Sequence, residues 1–271
     1  MEENARDKAG KEYWDSIWED LALTEIANPE LGGIKNVTIR IMSKHLEKSV
    51  ADLINKPIEL LEVGCGNSVW LPYFAKKFGF NVTGLDYSEL GCEHERRVLK
   101  AAGINGEVIC SDFFAPPDEM IGKYDVVTSF GVVEHFVPTE GCLEAFARFL
   151  KPKGRIITEI PNVQGINGLL MKTTNRPFYD KHVSLSSKTL AEAHEKAGFK
   201  IIDCQYIFTT NFYVPNTSGL DPNLTSTKIK ETVLRNLGRG SLLALALGEK
   251  VNFELKSGLI SPYILCVAEK N

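Results

Sequence analysis

Long apolar runs are scarce in this 271-residue chain. The longest, Leu242 to Leu247, is far short of the roughly 18 residues that read as a membrane span. The amino terminus, Met1-Glu-Glu-Asn-Ala-Arg-Asp-Lys, carries charge where a secretory leader has its apolar core. Paired cysteines are lacking too. Cys65, Cys92, Cys110, Cys142, Cys204 and Cys266 are scattered without C-x-x-C spacing, which argues against a structural zinc site. Several stand in apolar stretches, where a thiol packs as a small hydrophobe. Reduced thiols and a charged start give the expectation of a cytoplasmic protein. A basic excess is also missing: 31 Lys and Arg against 35 Asp and Glu leave a net charge of −4. No bulk electrostatic case for a nucleic-acid partner follows.

What is present has ordinary globular balance, with 44% hydrophobic and 24% charged residues. Tyr13, Trp14, Ile17, Trp18 and Leu21 recur at helical spacing. Asn28-Pro29 and Gly32-Gly33 break that stripe, and a second helical pattern covers residues 34–54. The period then changes. Apolar runs at 58–63, 81–85, 106–110, 124–129 and 154–160 alternate with amphipathic segments at 68–78, 89–102 and 139–150. This alternation predicts βαβ units and a parallel sheet with right-handed crossovers. The strand runs are almost wholly apolar, as expected of strands covered on both faces. After Pro161 a helix is predicted from Ser187 to Gly198, a strand from Phe199 to Phe208 and a loop over 209–227. A helix follows over 228–247, interrupted by Gly238 and Gly240, and then a last strand over 263–270. The division read from these patterns is a helical cap over 1–56 and a main domain over 57–271, with insertions at about 161–183 and 209–258.

The first strand closes in Leu60-Leu-Glu-Val-Gly-Cys-Gly66. Gly64 and Gly66 admit backbone torsions closed to other residues and let a ligand approach the main chain. Asp86 ends the second strand, where a carboxylate can accept hydrogen bonds from two vicinal ribose hydroxyls. A nucleoside-bearing cofactor is implied. A dinucleotide fingerprint would need glycine at position 69, where Val69 stands. Glu62 just before the turn would repel a pyrophosphate but suits a cationic ligand.

The chain here resembles the class I S-adenosylmethionine-dependent methyltransferases. The resemblance lies in five places in order: the glycine turn, Gly84-Leu-Asp-Tyr-Ser88, Ser111-Asp-Phe113, Tyr124-Asp-Val-Val-Thr-Ser-Phe-Gly-Val-Val-Glu-His-Phe136, and Phe149-Leu-Lys-Pro-Lys-Gly-Arg-Ile-Ile157. It covers about residues 58 to 160 and departs at Ser68, where many members have a third glycine. It implies a doubly wound, mostly parallel seven-stranded Rossmann-like α/β sheet with an antiparallel last strand, an N-terminal helical cap and a C-terminal helical insertion. It implies S-adenosylmethionine as cofactor. Gly64 and Gly66 would pass beneath its methionine part, with Glu62 ordering the loop. Asp86 would hold the ribose and Tyr87 pack on the adenine. Asp112 would take the adenine amino group, or simply cap a turn, with Phe113 donating from its backbone. Phe130 and Gly131 would line the wall beside the sulfonium.

Methyl transfer from a sulfonium is an in-line displacement with a neutral leaving group, so alignment and a base suffice. His135 and His182 are the candidate bases, each with a structural histidine as its alternative. A closer resemblance is to the ubiquinone-biosynthesis O-methyltransferases and their small-molecule relatives. Some of those look metal-assisted, with Glu at i and Glu-His at i+3 and i+4. Here Gly131 stands at i, so no required metal is expected. By the same resemblance Arg40 would bind the cofactor carboxylate, with an exposed helical arginine as the alternative. Trp14, Trp18, Phe178, Tyr179, Phe212 and Tyr213 are available for an acceptor pocket or for core. Leu242–Leu247 reads equally as pocket lining, core or a homodimer face. The expected activity is transfer of a methyl group to a small molecule, at a hydroxyl oxygen. N-methyl transfer and a non-catalytic cofactor-binding partner are the alternatives.

Overall fold

The computed structural model describes residues 6–19 and 22–271, so Leu21 of the first helical stripe lies outside the described residues. In chain order the elements are β1 (Arg6–Asp7), α1 (Lys11–Trp18), α2 (Val37–Ser49), β2 (Glu59–Val63), α3 (Leu71–Phe78), β3 (Asn81–Asp86), α4 (Glu89–Ala101), β4 (Glu107–Cys110), β5 (Tyr124–Phe130), β6 (Phe136–Val137), α5 (Thr139–Phe149) and β7 (Leu150–Pro161). There follow α6 (Ile166–Thr174), α7 (Arg176–Tyr179), α8 (Ser187–Lys196), β8 (Phe199–Ile207), α9 (Thr225–Lys250) and β9 (Tyr263–Lys270).

The main sheet has the order β4-β3-β2-β5-β7-β9-β8. The β2–β3, β2–β5, β3–β4 and β5–β7 pairings are parallel. The last strand, β9, runs antiparallel to both β7 and β8. It inserts one place in from the edge and leaves β8 outermost. Strand order reverses between β2 and β5, which opens a crevice at their carboxyl ends.

Both faces of the sheet are covered. Leu61, Val127 and Ile156 join one core with Phe146 and Phe149 of α5 and Leu190 of α8. Their chain neighbours Leu60, Val126 and Ile157 join the other, with Ile41 and Leu46 of α2 and Phe74 of α3. Successive side chains point to opposite faces, so a strand buried on both sides carries apolar residues at consecutive positions. That is why the strands lacked polar alternation.

Three local readings change. α1 stops at Trp18, and the chain from there to Asn28 has no helix or strand where described. Two short helices, α6 and α7, occupy the stretch read as loop-rich. α9 starts earlier than expected and continues through Gly238 and Gly240. Gly238 serves packing: a Cβ there would lie 2.6 Å from the ring of Tyr213. A Cβ on Gly240 would meet nothing within 4 Å.

The two glycines therefore have opposite expected behaviour. Gly240→Ala should raise the free energy of unfolding by up to about 1 kcal/mol, because alanine is the better helix former. Gly238→Ala should lower it by roughly 1–3 kcal/mol, because overpacking against Tyr213 outweighs propensity. Urea denaturation of both variants checks the signs.

Candidate active site

The chain leaves β2 through a turn that only glycine can make. Gly64 has φ +76°, and a Cβ there would stand 2.4 Å from Val132 Cγ2. At Gly66 a Cβ would come 3.0 Å from Asp86 Oδ2 and 3.2 Å from Trp18 Cε2. Ser68, where a third glycine was absent, has its own task. Its Oγ accepts the backbone N–H groups of Trp70 and Leu71, both at 3.0 Å, and so caps the start of α3.

Asp86 ends β3 buried beside this turn. Its Oδ2 accepts the Gly66 N–H at 2.9 Å and its Oδ1 the Ser88 N–H at 2.8 Å. A carboxylate has about four acceptor sites, so each oxygen keeps capacity for one more donor. Burial raises the Asp86 pKa, against these backbone donors. Two more acids lie beneath the turn. Burial pushes Glu62 up to about 8 and Glu95 up to about 9. Glu95 Oε2 accepts the Ser68 N–H at 2.9 Å, while Glu95 Oε1 and Glu62 Oε2 have no hydrogen-bond partner. Raised above neutrality, both acids are largely protonated at pH 7, and a cation placed above the turn would draw them towards their ionised forms.

A cavity of about 270 Å³ opens over Gly64, Gly66 and Asp86. Trp14 and Trp18 of α1 roof it, stacked at 6.1 Å with 17° between their planes. Tyr87 lines it too, and the Tyr87 hydroxyl donates to Asp7 Oδ2 at 2.9 Å. Phe113 is wedged edge-on against Phe136 and Phe146 at 5.2 and 5.0 Å. Phe130, Gly131 and Val132 form the wall at the end of β5.

His135 closes that wall. Its Nδ1 is 2.9 Å from the Lys181 carbonyl, so it carries the proton and leaves Nε2 as the lone-pair nitrogen. His182 is fixed in the same way by the Phe178 carbonyl at 2.9 Å. The two rings are 4.7 Å apart, and the Glu134 carboxylate is 3.7 Å from His135 Nε2. Burial lowers His135 to about 4 and, together with His135, lowers His182 to about 3. It raises the Glu134 pKa well above the usual carboxylate range. Ligand atoms of Glu134, His135 and His182 all lie within 4.8 Å of one another. His182 thus brings a third potential metal ligand that Gly131 could not supply.

Of the residues singled out in the sequence, Gly64, Gly66, Asp86, Tyr87, Phe113, Phe130, Gly131 and His135 converge on the cavity. Glu62 sits below it and His182 behind His135. Asp112 is exposed and outside the lining, and its Oδ1 accepts the Phe114 N–H at 2.9 Å, a turn-closing role. Arg40 must be corrected. Its guanidinium holds both carboxylate oxygens of Glu249 on α9 and the carbonyls of Leu31 and Gly33. Those partners occupy its donors away from the cavity, so it ties α2 to α9 rather than binding a cofactor carboxylate. Phe212 and Tyr213 also lie elsewhere, against α9. Glu95 was missed. It shares the inward stripe of Cys92, Val98 and Leu99, and an acid at an apolar helical position was the available signal.

Comparison with known proteins agrees with this geometry. The family model described as a methyltransferase domain matches residues 38–203, and the chain belongs to that family, the class I S-adenosylmethionine-dependent methyltransferases. S-adenosylmethionine is accordingly the cofactor, and the glycine cradle, buried acids and Asp86 fit it. The chain is 31% identical over 98 residues to the ubiquinone biosynthesis O-methyltransferase of Erwinia tasmaniensis, covering 36% of this chain and 40% of that one. It is 28% identical over 137 residues to EEF1A lysine methyltransferase 2 of Danio rerio, covering 49% and 57%. The matched part is thus less than two thirds of either relative. Among solved structures, geranyl diphosphate C-methyltransferase from Streptomyces coelicolor A3(2) superposes with a TM-score of 0.60 at 15% identity, covering 96% and 98%. The cyclase SpnF superposes at 0.56 with 17% identity, covering 84% and 80%. These structural likenesses speak for the fold alone.

The two imidazoles make stability sensitive to acid. Their folded pKa values lie below the ordinary 6.5, so the fold favours the neutral rings. That contribution is complete above about pH 6.5 and is lost as pH falls towards 4. Between pH 7 and pH 5 the loss should be on the order of 1–2 kcal/mol per ring. Chemical denaturation at the two pH values checks it, and His135→Gln should shrink the difference.

Proposed function

We propose that the protein transfers the methyl group of S-adenosylmethionine to a hydroxyl oxygen of a small molecule, with His135 as the proton acceptor. The observation that carries this reading is the lone-pair nitrogen of a neutral imidazole in the wall of the glycine–Asp86 cavity. The relatives' names, which include an O-methyltransferase, support a hydroxyl acceptor. The cofactor, when bound, supplies a methyl group on a cationic sulfur.

Each part of the chain has a defined task in this reading. Gly64 and Gly66 give the ligand access to the main chain. Asp86 accepts from the ribose hydroxyls while its backbone donors hold it in register. Glu62 and Glu95 ionise towards a cation bound above the turn. Trp14, Trp18 and Phe113 exclude water and flank the flat adenine together with Tyr87. His135 Nε2 takes the hydroxyl proton as the acceptor oxygen attacks. A weakly basic imidazole suffices, because that proton becomes strongly acidic once the oxygen begins to bond to carbon. Burial beside His182 disfavours the imidazolium, which keeps His135 uncharged until the proton arrives. No divalent ion is required in this reading, because His135 Nε2 itself accepts the hydroxyl proton. Six unpaired cysteines support a reducing, cytoplasmic setting.

Two measurements test the proposal. Asp86→Asn should weaken S-adenosylhomocysteine binding about a hundred-fold in calorimetry, from two hydrogen bonds to a charged acceptor. Unchanged affinity would remove the cofactor assignment. His135→Ala should lower kcat by roughly 10²–10⁴-fold and leave that affinity within about twofold. Dialysis against a chelator should leave kcat intact. A loss restored by magnesium would instead make Glu134, His135 and His182 a metal centre.

A further inference from the structure

α9 is 26 residues long, and only one side of it packs on the protein. Leu234, Gly238, Ser241 and Leu245 face inward and are buried. The opposite side is apolar and bare. Ile229, Val233, Leu237, Leu243, Leu247 and Val251 fall on one stripe at helical spacing and are all exposed, Leu247 at 64% and Val251 at 73%. Gly240 and Ala244 fill the gaps, and Asn236 is the polar member between them. A contiguous apolar patch of this extent marks an interaction surface.

Its borders are basic. Lys228, Arg235, Arg239 and Lys250 follow one edge of the stripe and Lys230 the other. The two acids of the helix point away and are engaged, Glu249 with Arg40 at 2.6 Å and Glu231 with the Thr217 hydroxyl at 3.1 Å. On the basic edge a groove of about 720 Å³ is lined by Lys35, Arg235 and Arg239, with Ile34 and Leu243 beside them. Leu243 belongs to both groove and stripe, so a cationic recess opens directly onto the apolar face. This segregation occurs in a chain whose net charge is −4.

We propose that α9 is a membrane-surface helix that rests on a bilayer containing anionic phospholipid. The stripe enters the acyl boundary, and Lys35, Arg235 and Arg239 receive a headgroup phosphate. No described helix is long and apolar enough to cross a membrane. The contact therefore lies in the plane of the interface. A second copy of the chain is the competing occupant, and charge decides against it. An antiparallel α9 pair centred on Gly240 would set Ile229 on Val251 and Val233 on Leu247. It would also bring Arg239 of each copy together and Lys250 near Lys228, with no acid between. An anionic surface turns the same cations into attraction.

Flotation of the full chain with vesicles tests the proposal. It should float with phosphatidylcholine vesicles doped with phosphatidylglycerol, much less with phosphatidylcholine alone, and less as salt rises. Arg235→Gln with Arg239→Gln should lower the partition coefficient about thirty-fold. Val233→Asp with Leu247→Asp should abolish flotation while circular dichroism stays that of the parent, since both positions face solvent. Failure to float with either vesicle overturns the proposal, as does equal binding to both or undiminished binding by the arginine variant. A dimer in sedimentation velocity that Leu247→Asp splits, without any flotation, would assign the face to a second copy instead.

Discussion

The hydrogen bond from the Gly66 backbone to Asp86 joins the ends of two adjacent strands, and the site is organised around it. It forms because Gly66 has no side chain to hold the two apart. The same carboxylate accepts from Ser88 and so registers the start of α4 against the turn. One buried charge thereby fixes the glycine turn, the end of β3 and the next helix relative to each other. Without it the crevice at the switch between β2 and β5 would remain a feature of topology with no defined floor.

Around this floor burial holds many titratable groups towards their neutral forms. Glu62, Glu95, Glu134 and Glu159 are buried and held above the ordinary carboxylate range, and three histidines are held below theirs. All share one cause, removal from water. The acids under the turn and the neutral imidazoles at the far wall give the cavity a polarity. One end welcomes a cation, and the other is able to accept a proton.

The succession of strands and helices along the chain and the glycine turn were legible because both follow from local chemistry. Leu60 and Leu61, like Val126 and Val127, are apolar at consecutive positions, as a sheet covered on both faces requires. Asp86 was legible because it stands at a strand end. What escaped was set by contacts distant in sequence. Arg40 reads as a solvent-facing helical cation until Glu249, 209 residues away, appears beside it. The glycines of α9 read as breaks, although Gly238 is demanded by Tyr213 from another segment. His182 could be named as a candidate, but its closeness to His135 depends on how α7 folds back. Asp112 matched a pattern by position, while its side chain closes its own turn.

The roof over the cavity is held differently from the floor. No residue of α1 is fully buried, and the segment is fastened by bonds such as Lys8 to the His182 and His135 carbonyls and by Lys181 4.1 Å over the Tyr13 ring. Those are peripheral ties, cheap to break compared with core packing. The enclosed space, about 270 Å³, is at the small end for an organic ligand. This strap is then the part of the wall that opens at least cost as nucleoside enters and leaves. How firmly residues 6–19 are tied down then bears on residence time and, through it, on turnover.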